Sequence, residues 1–172
     1  MTGVIADRVD AGGAVRFGIR TASGDEFSAD FASASPVERA VLVADVSGSG
    51  EFIALAGDGR AVRLWAVSDC ALVPVQNAQG QQYTFDLGFT GYGTGVGCAD
   101  VDGDGTRDLV GLRASGDGTG IERTAVVLHG PRATNSSTTS AVSDAGPEAV
   151  QRARQVTCGD LTLASNGVSI GG

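Results

Sequence analysis

The stretch VGCADVDGDGTRDLVGL, residues 96–112, decides how the chain is read. An apolar, strand-like segment runs into four aspartates threaded with glycine, and a second apolar segment leaves. Four carboxylates held together repel one another and titrate upward unless a cation or a set of donors compensates them. With Asp100 at position one, the carboxylates of Asp100, Asp102, Asp104 and Asp108 fall at one, three, five and nine. Gly105 stands at six and Thr106 at seven, where a main-chain carbonyl would face inward. Alternation brings positions one, three and five to one side of a tight loop, and glycine at six permits the positive φ that such a loop needs. This is the donor set of a hard, oxygen-loving cation and predicts a Ca2+ site. The plainer alternative is a solvated turn whose aspartates cap main-chain amides. An EF-hand is excluded twice over. Position twelve is Gly111 instead of a bidentate glutamate, and DLVGLR, where a helix should follow, reads as a strand.

Working outward, the same pattern recurs. VLVADVSGSGEFIAL (41–55) starts its loop at Asp45, and VTCGDLTLASNGVSI (156–170) at Asp160. In the first, Ser47 and Ser49 replace two aspartates and the loop reads as two residues shorter; in the last only Asp160 survives. Both are expected to be hydrogen-bonded turns. Repeats with loops at 45, 100 and 160 make the whole chain, 1–172, one domain of about three similar units.

Between the loops, strand signals continue at short intervals: AVRLWAV (61–67), QQYTFDLGF (81–89) and ERTAVVLHG (122–130). AVRFGIR and DEFSADF, at 14–20 and 25–31, add two more near the N-terminus. Residues 131–143, polar and low in complexity, read as a long connection or a weak edge strand. SPVERA carries a capping box from Ser35 to Glu38, and Pro147 opens a short helix near 147–155. The 27 glycines and single methionine fit this reading. The chain is an all-β, antiparallel protein.

Composition narrows the partners. A net charge of −8 repels phosphate backbones, so nucleic acid is excluded as a partner. No apolar run is long enough to span a bilayer, and the first residues lack the form of an export signal. Motifs of the common hydrolases, zinc peptidases and phosphate-binding loops are missing, and His129 ends a strand-like run, so no catalytic residue is assigned. Trp65, Tyr83, Phe89 and Tyr92 read as core or rim aromatics, with a sugar-facing role as the alternative.

Asp100, Asp102, Asp104, Gly105, Asp108 and Leu109 match D-x-D-x-D-G-x-x-D-L in full. In this the chain resembles the FG-GAP, or VCBS-type, repeat of β-propeller proteins, strongly over 94–130, weakly over 40–67 and marginally beyond 156. The resemblance implies propeller blades of four antiparallel strands, with Ca2+ held by Asp100, Asp102, Asp104, Thr106 and Asp108. Three units are fewer than a closed propeller uses. The expectation is therefore a composite blade built from both termini, in a monomer or a homodimer. Blade topology puts Cys70, Cys98 and Cys158 on one rim and favours a Cys70–Cys98 disulfide, with Cys98–Cys158 second. The function implied is that of a non-enzymatic structural or adhesive module, extracellular or in the cell envelope, with a protein or glycan partner. A lectin-like carbohydrate-binding module is the alternative, and a secreted hydrolase a more distant one.

Overall fold

The computed structural model describes residues 3–9 as backbone and residues 14–170 in full. The ends of the 1–172 span, and residues 10–13, lie outside the described residues. The chain is mostly antiparallel β-structure, arranged as sheets stacked face to face.

The N-terminal sheet holds β1 (Gly3–Val9), β2 (Ala14–Arg20) and β3 (Glu26–Ala32) in that order. The next contains β4 (Ala40–Asp45), β5 (Phe52–Gly57), β6 (Ala61–Ser68) and β7 (Ala71–Pro74), with β8 (Thr84–Asp86) pairing the first half of β6. The third holds β9 (Gly95–Ala99), β10 (Asp108–Ala114), β11 (Ile121–His129) and β12 (Arg132–Val142), and α1 (Pro147–Arg152) follows it. The polar segment 131–143 is thus an eleven-residue edge strand, bulged against β11 near Thr124.

Period-two alternation explains the stacking. On β5, Ala54 and Ala56 point toward the N-terminal sheet, joining Phe17, Phe31 and Trp65. Ile53 and Leu55 point the other way, toward Leu109 and Val126 of the third sheet. A strand buried on both faces needs a nearly continuous apolar run, and FIALAG supplies one. On β10, Leu109 faces the middle sheet, while Val110, Leu112 and Ala114 pack with Val150 of α1 and with Ala153, its C-cap. Burial of these inner faces contributes about 25 cal/mol per Å² of apolar surface removed from water.

Three expectations are corrected here. SPVERA forms no helix: the Ser35 hydroxyl donates to the Asp58 carbonyl at 2.7 Å, and Ser33 donates to the Asp58 carboxylate at 2.5 Å. These bonds tie the segment to the β5–β6 turn. The unit expected at Asp160 is a tight hairpin, β13 (Thr157–Cys158) and β14 (Leu161–Thr162), turning on Gly159 and Asp160. A short helix, α2 (Leu163–Asn166), and β15 (Val168–Ser169) complete the chain, and β15 pairs with β4.

The third correction concerns the termini. They share a core, since Ile170 is buried with Val15 and Phe17, but they do not pair into one composite blade. The C-terminal segment is instead drawn to β9, where the Val96 amide donates to the Gln155 carbonyl at 2.9 Å. No closed ring of blades forms among the described residues.

Candidate metal centre

The loop between β9 and β10 is built around one carboxylate. Asp100 Oδ1 accepts from the Gly103 amide at 2.7 Å and Oδ2 from the Gly105 amide at 2.9 Å. Both glycines have positive φ, +80° and +87°, which an L side chain would strain. Asp102 accepts from the Asp104 amide and Asp108 from the Val101 amide, each at 3.1 Å. The outcome is convergence: Asp100, Asp102 and Asp108 each place a carboxylate oxygen within 4.8 Å of the others. Asp104 is not in that group; its Oδ1 accepts from the Thr106 amide at 2.7 Å. Neither ion pair among the described residues reaches these aspartates. The neighbouring Arg107 instead lays its guanidinium against Gly159, in the turn of the C-terminal hairpin.

The loop at Asp45 is the same object without the charge. Asp45 accepts from the Gly48 and Gly50 amides, both at 2.8 Å, and Ser47 donates to Ser49 at 2.9 Å. Strand register shows that the two loops have equal length, which corrects the shorter reading of the first. Ala44 pairs with Ile53 on β4 and β5 as Ala99 pairs with Asp108 on β9 and β10. Ile53, in the core, therefore occupies the place of Asp108.

Cys98 is bonded to Cys158, joining β9 to β13, and Cys70 is a free, exposed thiol. The favoured Cys70–Cys98 pairing is thus not formed. Cys70 lies in the two-residue turn after β6, whereas residues 155–158 run beside β9.

One organising residue escaped the sequence reading. Asp86, at the end of β8, accepts from the amides of Phe89, Thr90 and Tyr92 at 2.9 Å and of Gly93 at 3.1 Å. Partial desolvation would raise its pKa, but the donors from Thr90, Gly93 and Tyr92 outweigh it and hold the group at about 2. The only sequence signal is an Asp before a glycine-rich run. Of the aromatics, Trp65 is core at 1% exposure, edge-on to Phe17 and Phe31. Tyr83 is half-buried, its hydroxyl donating to Asn135 and its pKa pushed up to about 12 by burial. Phe89 and Tyr92 are 66% and 87% exposed.

No protein-family model matches the chain, and neither does any curated protein or solved structure. No helix among the described residues is long and apolar enough to cross a membrane.

Proposed function

We propose that the chain is a Ca2+-stabilised structural or adhesive module made of FG-GAP-like, blade-type units. The observation that carries this reading is the convergence of Asp100, Asp102 and Asp108 with no cationic side chain among the described residues paired to them. Ca2+ takes six to eight oxygens at about 2.3–2.6 Å, so two oxygens on one ion lie no more than about 5 Å apart. The 4.8 Å spread falls inside that limit. Carboxylate-only donors disfavour the softer transition metals, which select imidazole or thiolate. The ion would relieve repulsion among the three groups and tie β9 to β10. A disulfide at Cys98–Cys158 supports an oxidising compartment, where free calcium is plentiful. The partner is a protein or a glycan, met as a monomer or a homodimer.

Melting curves in chelator and in Ca2+ test the proposal. With a site of about 0.1 mM affinity, about 2 mM Ca2+ adds about 1.8 kcal/mol, a shift of roughly 4–7 °C. Asp102→Asn should abolish the shift and Ser49→Ala should leave it intact. A parent protein whose Tm ignores Ca2+ would overturn the reading.

A further inference from the structure

The most exposed aromatic rings stand over a cleft that the metal loop does not touch. The cleft, about 460 Å³, lies between β8 and one face of β10–β12. This is within the usual range for small-ligand sites. One wall is Tyr83 and Phe85; the floor is Gly111, Arg113, Glu122 and Thr124. Gly111 presents no side chain to the cleft, and the Phe85 ring lies 3.7 Å from where its Cβ would stand.

Phe89 and Tyr92 form the rim, and they are held there. The loop carrying them hangs from Asp86 by four amide hydrogen bonds, with Gly88 and Gly91 at φ +96° and +85°. The Arg60 guanidinium sits 4.8 Å from the centre of the Phe89 ring, on its face. Apolar rings on a slack loop would fold down onto the protein. These are fixed outward with most of their surface in water.

The floor is polar and under-used. Arg113 and Glu122 are directly paired in register, yet neither forms an ion pair among the described residues. Asn135 Oδ1 accepts from the Tyr83 hydroxyl, and its side-chain N–H groups have no partner among the described residues. A donor-only guanidinium, an acceptor-only carboxylate, a hydroxyl and an amide thus stand beside exposed aromatic faces.

We propose that this cleft binds a neutral oligosaccharide. A pyranose has an apolar C–H face that lies flat on an aromatic ring, and hydroxyls that both donate and accept. It therefore uses both halves of the site at once. A phosphorylated or sulfated ligand fits poorly, because Asp86 and Glu122 offset Arg60 and Arg113 in the lining and the chain carries a net −8. A peptide adding as a strand needs a free edge, whereas the floor is the face of a sheet. The cleft also continues past Tyr92. A second concavity of about 740 Å³ shares Gly93, Arg113 and Glu122 with the first, giving a trough with room for more than one sugar.

Asp108 and Arg113 stand near opposite ends of β10, roughly 17 Å apart along the strand. Binding should therefore persist in chelator, which separates this site from the Ca2+ reading. The full chain is screened on a glycan array in chelator and in Ca2+, and a hit is titrated calorimetrically. Neutral glycans should be retained in both buffers. Tyr92→Ala and Arg113→Ala should each weaken the titrated glycan roughly tenfold or more. The Tm of Tyr92→Ala should match the parent, since the ring buries little. Three results would overturn the proposal: no glycan bound by the folded protein, retention of anionic glycans or peptides only, or an affinity that Tyr92→Ala leaves unchanged.

Discussion

Asp45 and Asp100 hold the same place in two loops of equal length, each carboxylate accepting from the amides three and five residues further on. Only the other positions differ. Ser47, Ser49 and Ile53 stand where the second loop has Asp102, Asp104 and Asp108. Ile53 is 4% exposed because the third sheet covers it. Ile53→Asp should therefore cost more than the roughly 2–5 kcal/mol of a core truncation, since a carboxylate is buried as well. Loss of a cooperative thermal transition would be its signature. Ser47→Asp with Ser49→Asp should fold, and calorimetry should still count one Ca2+ per chain, because the ninth position is closed to oxygen.

The Cys98–Cys158 bridge spans 60 residues, and a loop of that size stabilises by about 4 kcal/mol in the chain-entropy account. Cys158→Ala should lower the Tm by roughly 8–16 °C. Cys70 behaves oppositely. Asp69 and Cys70 form a two-residue hairpin turn with φ +49° and +57°, the conformation that glycine adopts without strain. Cys70→Gly should stabilise by about 1 kcal/mol, read as a higher urea midpoint with an unchanged slope.

Gly95 lies tight against the C-terminal segment. A Cβ there would stand 2.4 Å from the Ala153 carbonyl oxygen and 2.5 Å from that of Gln155. Both obstacles are backbone and cannot rotate away. Gly95→Ala should cost roughly 1–3 kcal/mol or more, whereas Gly116→Ala, with nothing within 4 Å of its Cβ position, should be neutral. Urea titrations of the two variants beside the parent check the contrast.

The sequence carried the strand–loop–strand units because alternation and the Asp-Gly pattern are local. It misled wherever a distant contact decided the outcome. Ser35 reads as a helix cap, but Asp58 claims its hydroxyl. Asp160 reads as the start of a third loop, but the chain turns within two residues beside β9. The length of the first loop was hidden because Ile53 bears no resemblance to the aspartate whose place it takes. In the aspartate loop, four carboxylates were legible, but not that Asp104 turns to the Thr106 amide while the other three converge. Asp86 gave no signal because its donors are main-chain amides.

Asp86 also sets a pH response. Its folded pKa of about 2 lies below the ordinary 3.8, so ionisation favours the folded loop. That contribution is complete above about pH 4 and disappears as the pH falls through about 2. Amide resonances of Phe89, Thr90, Tyr92 and Gly93 should shift together across this window, and Asp86→Asn should show the acid-form positions at neutral pH. Independent midpoints for the four amides would refute the shared acceptor.

For a chain under tension, the Cys98–Cys158 bridge redraws the path of the load. Pulled from its two ends, the protein transmits force from Cys98 directly to Cys158, and the chain between them, a sequence separation of 60, drops out of the extensible length. That is roughly 200 Å of slack withheld, at about 3.3–3.6 Å per extended residue. The aspartate loop, the polar floor of the cleft and the edge strand β12 all lie inside this shunted span. As long as the bond is oxidised, a pull strong enough to peel β4 from β5 leaves them unloaded.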